Sequence, residues 1–214
     1  MSINNNFAIA VVCSSNMNRS MEAHNFLAKK GFNVRSFGTG ERVKLPGTAI
    51  DKPNIYEFGT PYDVIYNDLV TKDKQYYTQN GLLHMLDRNR RIKKCPERFQ
   101  ECSDKFDIII TVEERVYDQV LEYMESQDTQ DNRPVHIFNV NIEDNHEEAL
   151  MGAFLIADMI NMVKIIPYQS VDQEIFNCSE LKSDGGILIN NNDVNDNDEV
   201  SFRKAFKSTA VLDN

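Results

Sequence analysis

The chain has 214 residues and a formal net charge of −10, because 33 acidic residues outnumber 23 basic ones. This length suits a single domain whose core needs no disulfide or metal, and the acidic balance argues against direct binding of nucleic acid, since phosphate backbones select basic faces. The sequence has no charged-then-apolar leader and no apolar run near ~18 residues, so we expect neither secretion nor membrane spanning.

Cysteine and histidine usage gives no indication of a metal site. The four cysteines and four histidines form no CxxC pair and no metal-ligand spacing, which is typical of a chain in a reducing compartment. We therefore expect no metal and no cofactor. Cys95 and Cys102 could bridge or act as a redox pair, but we interpret them as ordinary thiols.

The first predicted elements are a strand, a short polar loop and a helix. Residues 7–12 are entirely apolar, and residues 20–30 carry apolar side chains at helical spacing. A second strand is predicted over residues 32–37. The polar stretch 38–60 contains proline and glycine, and loops of this length in compact domains usually bind something.

The remaining predicted elements continue the alternation of strand and helix. Strands that alternate with helices predict an α/β fold of three layers, with a mostly parallel central sheet and helices on both faces. We assign residues 1–166 to this domain and residues 167–214 to an extension that is partly ordered at best. Its Asn/Asp-rich stretch 189–199 is predicted to be disordered. The remaining helices are predicted over 62–69, 78–89, 113–126 and 146–165, and the remaining strands over 106–112 and 135–140.

The most informative feature is the loop between the first strand and the first helix. Five residues separate Cys13 from Arg19, enough to wrap a phosphate with inward N–H groups, and Arg19 offers a planar fork for two phosphate oxygens. The helix N-terminus, the arginine and a hydrogen bond from Ser20 all favour a thiolate. The alternative is that Cys13 merely ends a buried strand. The predicted phosphate-binding residues are Ser14, Ser15, Asn16, Met17, Asn18, Arg19 and Ser20.

Phosphate-ester chemistry also needs an acid that protonates the leaving oxygen. The strand over 135–140 leads to Asp144, which is our candidate acid, with Glu143 as the reserve. The alternative is that both residues belong to the acidic first turn of the helix that follows.

A run of basic residues at 88–94, continuing to Arg98, departs from the acidic balance of the chain. Three interpretations are open: a solvated helix end, a nuclear-import patch, or a strip that attracts a phosphorylated substrate.

Seven segments carry a family likeness: 13–24, 36–40, 51–54, 81–89, 95–100, 113–118 and 152–154. Together they resemble the Ssu72-type phosphatases of the RNA polymerase II C-terminal domain. The resemblance covers roughly the first 160 residues and is more specific than the loop alone. It implies a fold similar to low-molecular-weight tyrosine phosphatases and removal of phosphate from the fifth-position, and less well the seventh-position, serine of the polymerase heptad. It also implies a nuclear role in transcription termination and mRNA 3′-end processing, with a symplekin-type scaffold as partner.

The resemblance assigns roles to individual residues. Cys13 becomes the nucleophile, Arg19 the phosphate clamp and Asp144 the general acid, while Asn16 holds the shape of the loop. The segments that resemble the family's peptide groove contain Lys44, Leu45, Pro46, Tyr77, Leu82 and Met85.

Two departures from the family are visible, so the chain is also interpreted as a possible divergent paralogue. Asn141 stands where members commonly have an aspartate, and the last fifty or so residues do not resemble the family's ending, an acidic helix followed by an apolar terminal strand. Alternative functions are a low-molecular-weight-type tyrosine phosphatase, an arsenate reductase that resolves through Cys95 or Cys102, or a phosphopeptide-binding module with weakened catalysis.

Overall fold

A five-stranded sheet forms the centre of the molecule, and the computed structural model describes residues 7–49, 51–127, 134–165 and 206–212. In chain order the elements are β1 (Ala8–Cys13), α1 (Arg19–Lys29), β2 (Asn33–Gly38), β3 (Val43–Leu45), β4 (Asn54–Tyr56), α2 (Tyr62–Gln79), α3 (Leu82–Ile92), a 3₁₀ turn (Phe99–Glu101), β5 (Ile108–Thr111), α4 (Glu114–Glu125), β6 (Val135–Val140), α5 (His146–Ile165) and β7 (Phe206–Leu212).

The sheet has the strand order β2-β1-β5-β6-β7. The first four strands are parallel, and β7 pairs antiparallel with β6. Side chains alternate along β1: Ile9 and Val11 pack toward α1 and α5, whereas Ala10 and Val12 pack toward α4. Because β1 is buried on both faces, all its residues are apolar. The predicted three-layer α/β fold with a mostly parallel sheet is confirmed.

The segment between β2 and α3 differs from its prediction. The stretch 38–60, predicted as a loop, contains the antiparallel hairpin of β3 and β4. The predicted helix over 62–69 extends to Gln79 across a kink at Asp73, whose carboxylate accepts the N–H of Tyr76 at 2.9 Å and starts a second helical stretch. The helix predicted from residue 78 begins instead after Gly81, which has a φ of 80°.

The C-terminal region is described only in part. Strand β7 was not predicted, because its sequence FKSTAVL mixes polar and apolar residues and follows a long polar stretch. The last fifty or so residues were expected not to resemble the family's ending, yet β7 supplies a terminal strand that pairs antiparallel with β6. Most of the predicted extension, including the stretch 189–199, lies outside the described residues, so its disorder remains a prediction. No helix in the described part of the chain is long and apolar enough to cross a membrane.

Candidate active site

Cys13 ends β1 at the carboxyl edge of the sheet, and only 3% of its surface is exposed. Its Sγ lies 3.0 Å from Ser20 Oγ and accepts the backbone N–H of Asn16 at 3.2 Å. The N-terminus of α1 begins at Arg19, at the end of the same loop. Hydrogen-bond donors and a helix N-terminus both stabilise a thiolate relative to a thiol.

The direction of the hydrogen bond between Ser20 and Cys13 follows from its neighbours. The backbone N–H of Glu97 donates to Asn16 Oδ1 at 3.0 Å, so the other end of the Asn16 amide, Nδ2, faces Ser20 Oγ at 3.0 Å and donates to it. The hydroxyl proton of Ser20 is then directed to Cys13 Sγ. This network makes Ser20 a donor to the sulfur, as its position in the sequence indicated.

Five carbonyl groups of the loop segment are held by donors outside it. The N–H of Asn16 points into the loop, where it donates to Cys13 Sγ at 3.2 Å, which is the direction that N–H groups take in an anion nest. Asn16 is also the one non-glycine residue of the described ranges with a positive φ, 54°, a conformation that asparagine tolerates better than most residues. Two of these carbonyls accept backbone N–H groups: Thr39 N donates to Cys13 O at 3.0 Å, and Gly40 N donates to Ser14 O at 2.9 Å. The other three accept side-chain donors: Tyr62 OH donates to Asn16 O at 2.7 Å, Asn89 Nδ2 to Met17 O at 2.8 Å and Arg88 Nη2 to Asn18 O at 3.3 Å.

The residues that anchor the loop were not predicted as functional. Burial and the nearby Cys13 and Cys95 raise the pKa of Tyr62 well above its usual value, so its hydroxyl remains a donor. Arg88 is largely buried and paired with Glu22 of α1, and burial lowers its pKa. Sequence patterns give little warning of such roles, since these side chains are distant from the loop in the chain.

Arg19 is buried beneath the loop. Its Nη2 lies 2.8 Å from Glu113 Oε2 and 3.5 Å from Asp144 Oδ2, and its Nη1 donates to the carbonyl of Ile142 at 2.8 Å. Nε is buried with no hydrogen-bond partner among the described residues. Arg19 therefore retains donors that suit phosphate oxygens.

Two carboxylates share Arg19 but differ in environment. The side chain of Glu113 is 32% exposed and that of Asp144 is 60% exposed. Burial raises the pKa of Glu113, but Arg19, with smaller contributions from Arg115 and Ser14, outweighs burial and holds this pKa below its usual value. Asp144 receives a hydrogen bond from Asn18 Nδ2 at 3.0 Å, which joins it to the loop. Glu143, the reserve acid, does not line the site cavity.

A cavity of about 250 Å³ opens above Cys13 and brings most of the expected site residues together. Tyr77 does not line it; this side chain is buried, and its hydroxyl accepts a hydrogen bond from Asn54 Nδ2 at 2.9 Å. Asn54 also donates to Pro46 O at 3.0 Å, so Tyr77 lies behind one wall of the cavity. Asn80, Asn145 and His146 line the cavity and were missed by the sequence analysis. The expected residues on its surface are Cys13, Ser15, Met17, Asn18, Lys44, Leu45, Pro46, Leu82, Met85 and Asp144.

The basic run at 88–94 and Arg98 is largely paired within the protein. Arg88 and Lys93 are nearly buried and form ion pairs with Glu22 and Glu97. The run is therefore neither a fully solvated helix end nor a free basic strip. Further ion pairs join Arg90 to Asp63, Arg90 and Arg91 to Asp87, and Arg98 to Glu101.

The departures noted in the sequence have modest structural consequences. Asn141 Oδ1 accepts a hydrogen bond from Asn139 Nδ2 at 2.9 Å, a bond that an aspartate could also accept.

Neither Cys95 nor Cys102 lines the cavity, and Cys102 contacts Arg35 and Asp104 instead. In the described ranges, no cluster of three His, Cys, Asp or Glu side chains could hold a metal ion.

Comparisons with known proteins agree with this geometry. The family model for Ssu72-like proteins matches residues 7–180. The RNA polymerase II C-terminal domain phosphatase SSU72 of Danio rerio is 66% identical over 156 residues, 73% of this chain and 80% of that protein. The serine phosphatase of the RNA polymerase II CTD from Drosophila melanogaster is 61% identical, with a TM-score of 0.81 over 96% of this chain and 98% of that one. D. melanogaster Ssu72 with Symplekin, bound to a cis peptidomimetic CTD peptide that carries phosphoserine at the fifth position, is 58% identical, with a TM-score of 0.81 over 98% of this chain and 99% of that one. The chain therefore belongs to the Ssu72 family.

Proposed function

We propose that this protein is a cysteine-dependent protein serine phosphatase that acts on the RNA polymerase II C-terminal domain. Its substrate is the fifth-position phosphoserine of the heptad, with the seventh position a poorer one and the cis serine-proline bond preferred. The observation that carries the proposal is that Cys13 and Asp144 line one cavity and that Arg19 Nη2 lies 3.5 Å from Asp144 Oδ2, in a chain whose relatives are CTD phosphatases.

The reaction proceeds in two steps. The Cys13 thiolate attacks phosphorus in line, while loop N–H groups and Arg19 bind the equatorial oxygens. The phosphorus–oxygen bond to serine breaks, and Asp144 donates a proton to the departing serine oxygen. Water then hydrolyses the cysteinyl-phosphate, with Asp144 accepting a proton from the water, which regenerates the thiolate and releases inorganic phosphate.

Access to the site supports a peptide substrate. The cavity extends from Cys13 between the segment with Lys44, Leu45 and Pro46 and the start of α3, where Leu82 and Met85 line it. We assign these residues to the walls that hold the peptide. Tyr77 acts indirectly, through the hydrogen bond with Asn54 that supports the wall at Pro46.

The cellular setting follows from the same substrate. A phosphatase of the RNA polymerase II C-terminal domain acts in the nucleus, and we place this protein in transcription termination and mRNA 3′-end processing. A symplekin-type scaffold is the proposed partner, as in the Drosophila complex.

The test is turnover of heptad peptides that each carry one phosphoserine, at position two, five or seven. We expect hydrolysis to be fastest at position five. A preference for phosphotyrosine peptides would indicate the tyrosine phosphatase alternative, and thiol-dependent reduction of arsenate would indicate a reductase. Binding of the peptides without turnover would indicate a phosphopeptide-binding module.

A further inference from the structure

Glu113 lies at the site, yet neither step of the proposed reaction uses it. It is the N-cap of α4, and its backbone carbonyl accepts the N–H groups of Val116 and Tyr117, both at 3.0 Å. The side chain of an N-cap residue commonly bonds to the first N–H groups of the helix, but that of Glu113 makes no such bond. Its carboxylate lies against Arg19 instead, so α4 lacks the stabilising side-chain hydrogen bond at its N-terminus.

The contacts of Arg19 indicate the purpose of this arrangement. Glu113 holds Nη2 and the Ile142 carbonyl holds Nη1, each at 2.8 Å, while Nε is buried without a partner in the described part of the chain. Because the guanidinium is planar, two contacts on its Nη ends set the direction of the Nε–H bond. We propose that Glu113 is a positioning residue, which holds Arg19 so that Nε–H and one Nη2 hydrogen remain for phosphate oxygens.

Glu113 also limits the contact between Arg19 and the candidate acid. The same Nη2 is 2.8 Å from Glu113 and 3.5 Å from Asp144. Glu113 is the less exposed of the two carboxylates, and solvent screens its attraction to Arg19 less. With Glu113 as the stronger partner, Asp144 is left to move a proton to and from the substrate. This part of the inference rests on the proposed function.

The position of the Glu113 carboxylate is itself fixed by two further groups. Ser14 Oγ donates to Glu113 Oε2 at 3.3 Å, and Arg115 Nε lies 3.4 Å from Oε1. The carboxylate is therefore held on three sides, and shortening its side chain removes it from Arg19 rather than letting it follow.

The first test measures orthophosphate binding by calorimetry in the Cys13→Ser background, where turnover plays no part. Glu113→Asp keeps the charge and suits an N-cap, so the protein folds, but its carboxylate is withdrawn from Arg19 by one methylene. We expect it to weaken orthophosphate binding by about 10-fold with no fall in the unfolding midpoint. Glu113→Gln, which keeps an acceptor for Nη2, should retain more affinity than Glu113→Asp.

Glu114→Gln is the matched control, because it removes the same charge from the next residue, which is exposed. We expect it to change orthophosphate binding by less than about twofold, since an exposed charge is largely screened. A Glu113→Asp variant that binds within twofold of its parent overturns the proposal. So does a Glu113→Gln variant that binds more weakly than Glu113→Asp.

The second test measures turnover by the same substitutions with Cys13 intact. In Glu113→Asp, Arg19 draws Asp144 toward itself, so kcat should fall more on a phosphoserine peptide than on p-nitrophenyl phosphate, whose phenolate leaves without a proton. Equal losses overturn the part of the inference that concerns Asp144. If the unmodified protein hydrolyses no phosphopeptide, the proposed function fails, while the orthophosphate comparison still decides the role of Glu113.

Discussion

At the scale of single residues, the proposed reaction depends on the sulfur of Cys13. Ser20 Oγ lies 3.0 Å from this sulfur, and the N–H of Asn16 donates to it at 3.2 Å. We expect Cys13→Ser to abolish turnover and to leave phosphopeptide binding intact, because an alcohol in this loop does not ionise near neutral pH. Turnover and peptide binding measured side by side would check this.

Cys102→Ser is a suitable control for the loss of a thiol, because Cys102 lies beside Arg35 and Asp104, away from the cavity. It should leave kcat/KM unchanged. Activity of Cys13→Ser above a few per cent of the parent would rule out Cys13 as the nucleophile.

Asp144 is joined to the loop by Asn18 and to Arg19 by a longer contact, and its exposure allows it to reach a leaving group. We expect Asp144→Asn to reduce the rate on a phosphoserine peptide by ~10²–10⁴. The loss should be smaller on an aryl phosphate, because a phenolate is a better leaving group than an alkoxide. Steady-state kinetics on both substrates would measure the difference.

Glu143→Gln separates the candidate acid from its reserve. Since Glu143 does not line the cavity, this substitution should leave both rates near those of the parent. If Glu143→Gln lost the phosphoserine rate and Asp144→Asn did not, the two assignments would have to be exchanged.

At the scale of elements, α2 holds the phosphate loop from outside through the hydroxyl of Tyr62, which donates to Asn16 O at 2.7 Å. Tyr62→Phe leaves this buried carbonyl without its donor, which costs about 1–3 kcal/mol of unfolding free energy. Because the loop loses one of its anchors, we also expect weaker orthophosphate binding. Denaturant unfolding and phosphate titration would measure the two effects.

Tyr66→Phe is the matched control on the same helix. Tyr66 packs against the guanidinium of Arg90 at 4.6 Å, and in the described part of the chain no hydrogen bond joins it to the loop. Its substitution should leave phosphate binding unchanged. The same loss of phosphate affinity in both variants would show that the effect of Tyr62→Phe does not come from its bond to Asn16.

The packing of α1 on β2 should make stability depend on pH. The ring of His24 lies 2.8 Å from Ser36 Oγ, and burial, followed by the positive charge of Lys93, lowers its pKa from 6.5 to about 4. Between these two values the unfolded chain binds a proton that the folded protein does not. Unfolding free energy should therefore fall as pH is lowered from about 6.5 to about 4, by roughly 3 kcal/mol in total.

His24→Gln should flatten this part of the stability curve, and denaturant unfolding at a series of pH values would show it. Exposed His84 on α3 provides the control, since His84→Gln should keep the slope of the parent. An unchanged slope in His24→Gln would assign the acid sensitivity to other groups.

Helices and strands whose apolar residues recur at a regular spacing could be predicted from the sequence. Features that depend on contacts with residues far away in the chain could not. Strand β6 and helix α5 begin and end where their patterns indicate. The hairpin of β3 and β4 was missed because each strand has three residues. The cysteine loop was recognisable because its residues are contiguous, whereas Glu113 is 94 residues from its partner Arg19. Two signals for Glu113 were available: its position directly after a buried strand, and its place in the segment 113–118 that resembles the family.

At the scale of the whole molecule, the cavity is formed by the loop after β1, the β3 segment, the start of α3 and the segment before α5. A phosphate bound deep in the loop forces the peptide to turn sharply away, and a cis serine-proline bond provides such a turn. The cis form is ~10–30% of X–Pro bonds in flexible peptides and exchanges over tens of seconds or more. With enzyme in excess, we expect a fast burst equal to the cis fraction and then a slow phase.

Addition of a prolyl isomerase should remove the slow phase of product formation, which a stopped-flow phosphate assay would show. A heptad analogue that lacks the proline supplies the control: its peptide bond is almost entirely trans, so it should give no fast burst. Complete and rapid consumption of the phosphoserine-proline peptide without isomerase would contradict the cis preference.

The hydrogen bonds that hold the phosphate loop also determine when this loop can fold during synthesis. The loop at residues 13–20 is held by side chains as distant as Tyr62, Asn89 and Arg88, and by the backbone of Glu97. About half of the chain must therefore be synthesised before the loop around Cys13 can be held in place, and a ribosome adds ~5–20 residues per second. Until then the thiol lacks the anchors that bury it, so it is more accessible to oxidants than in the folded protein.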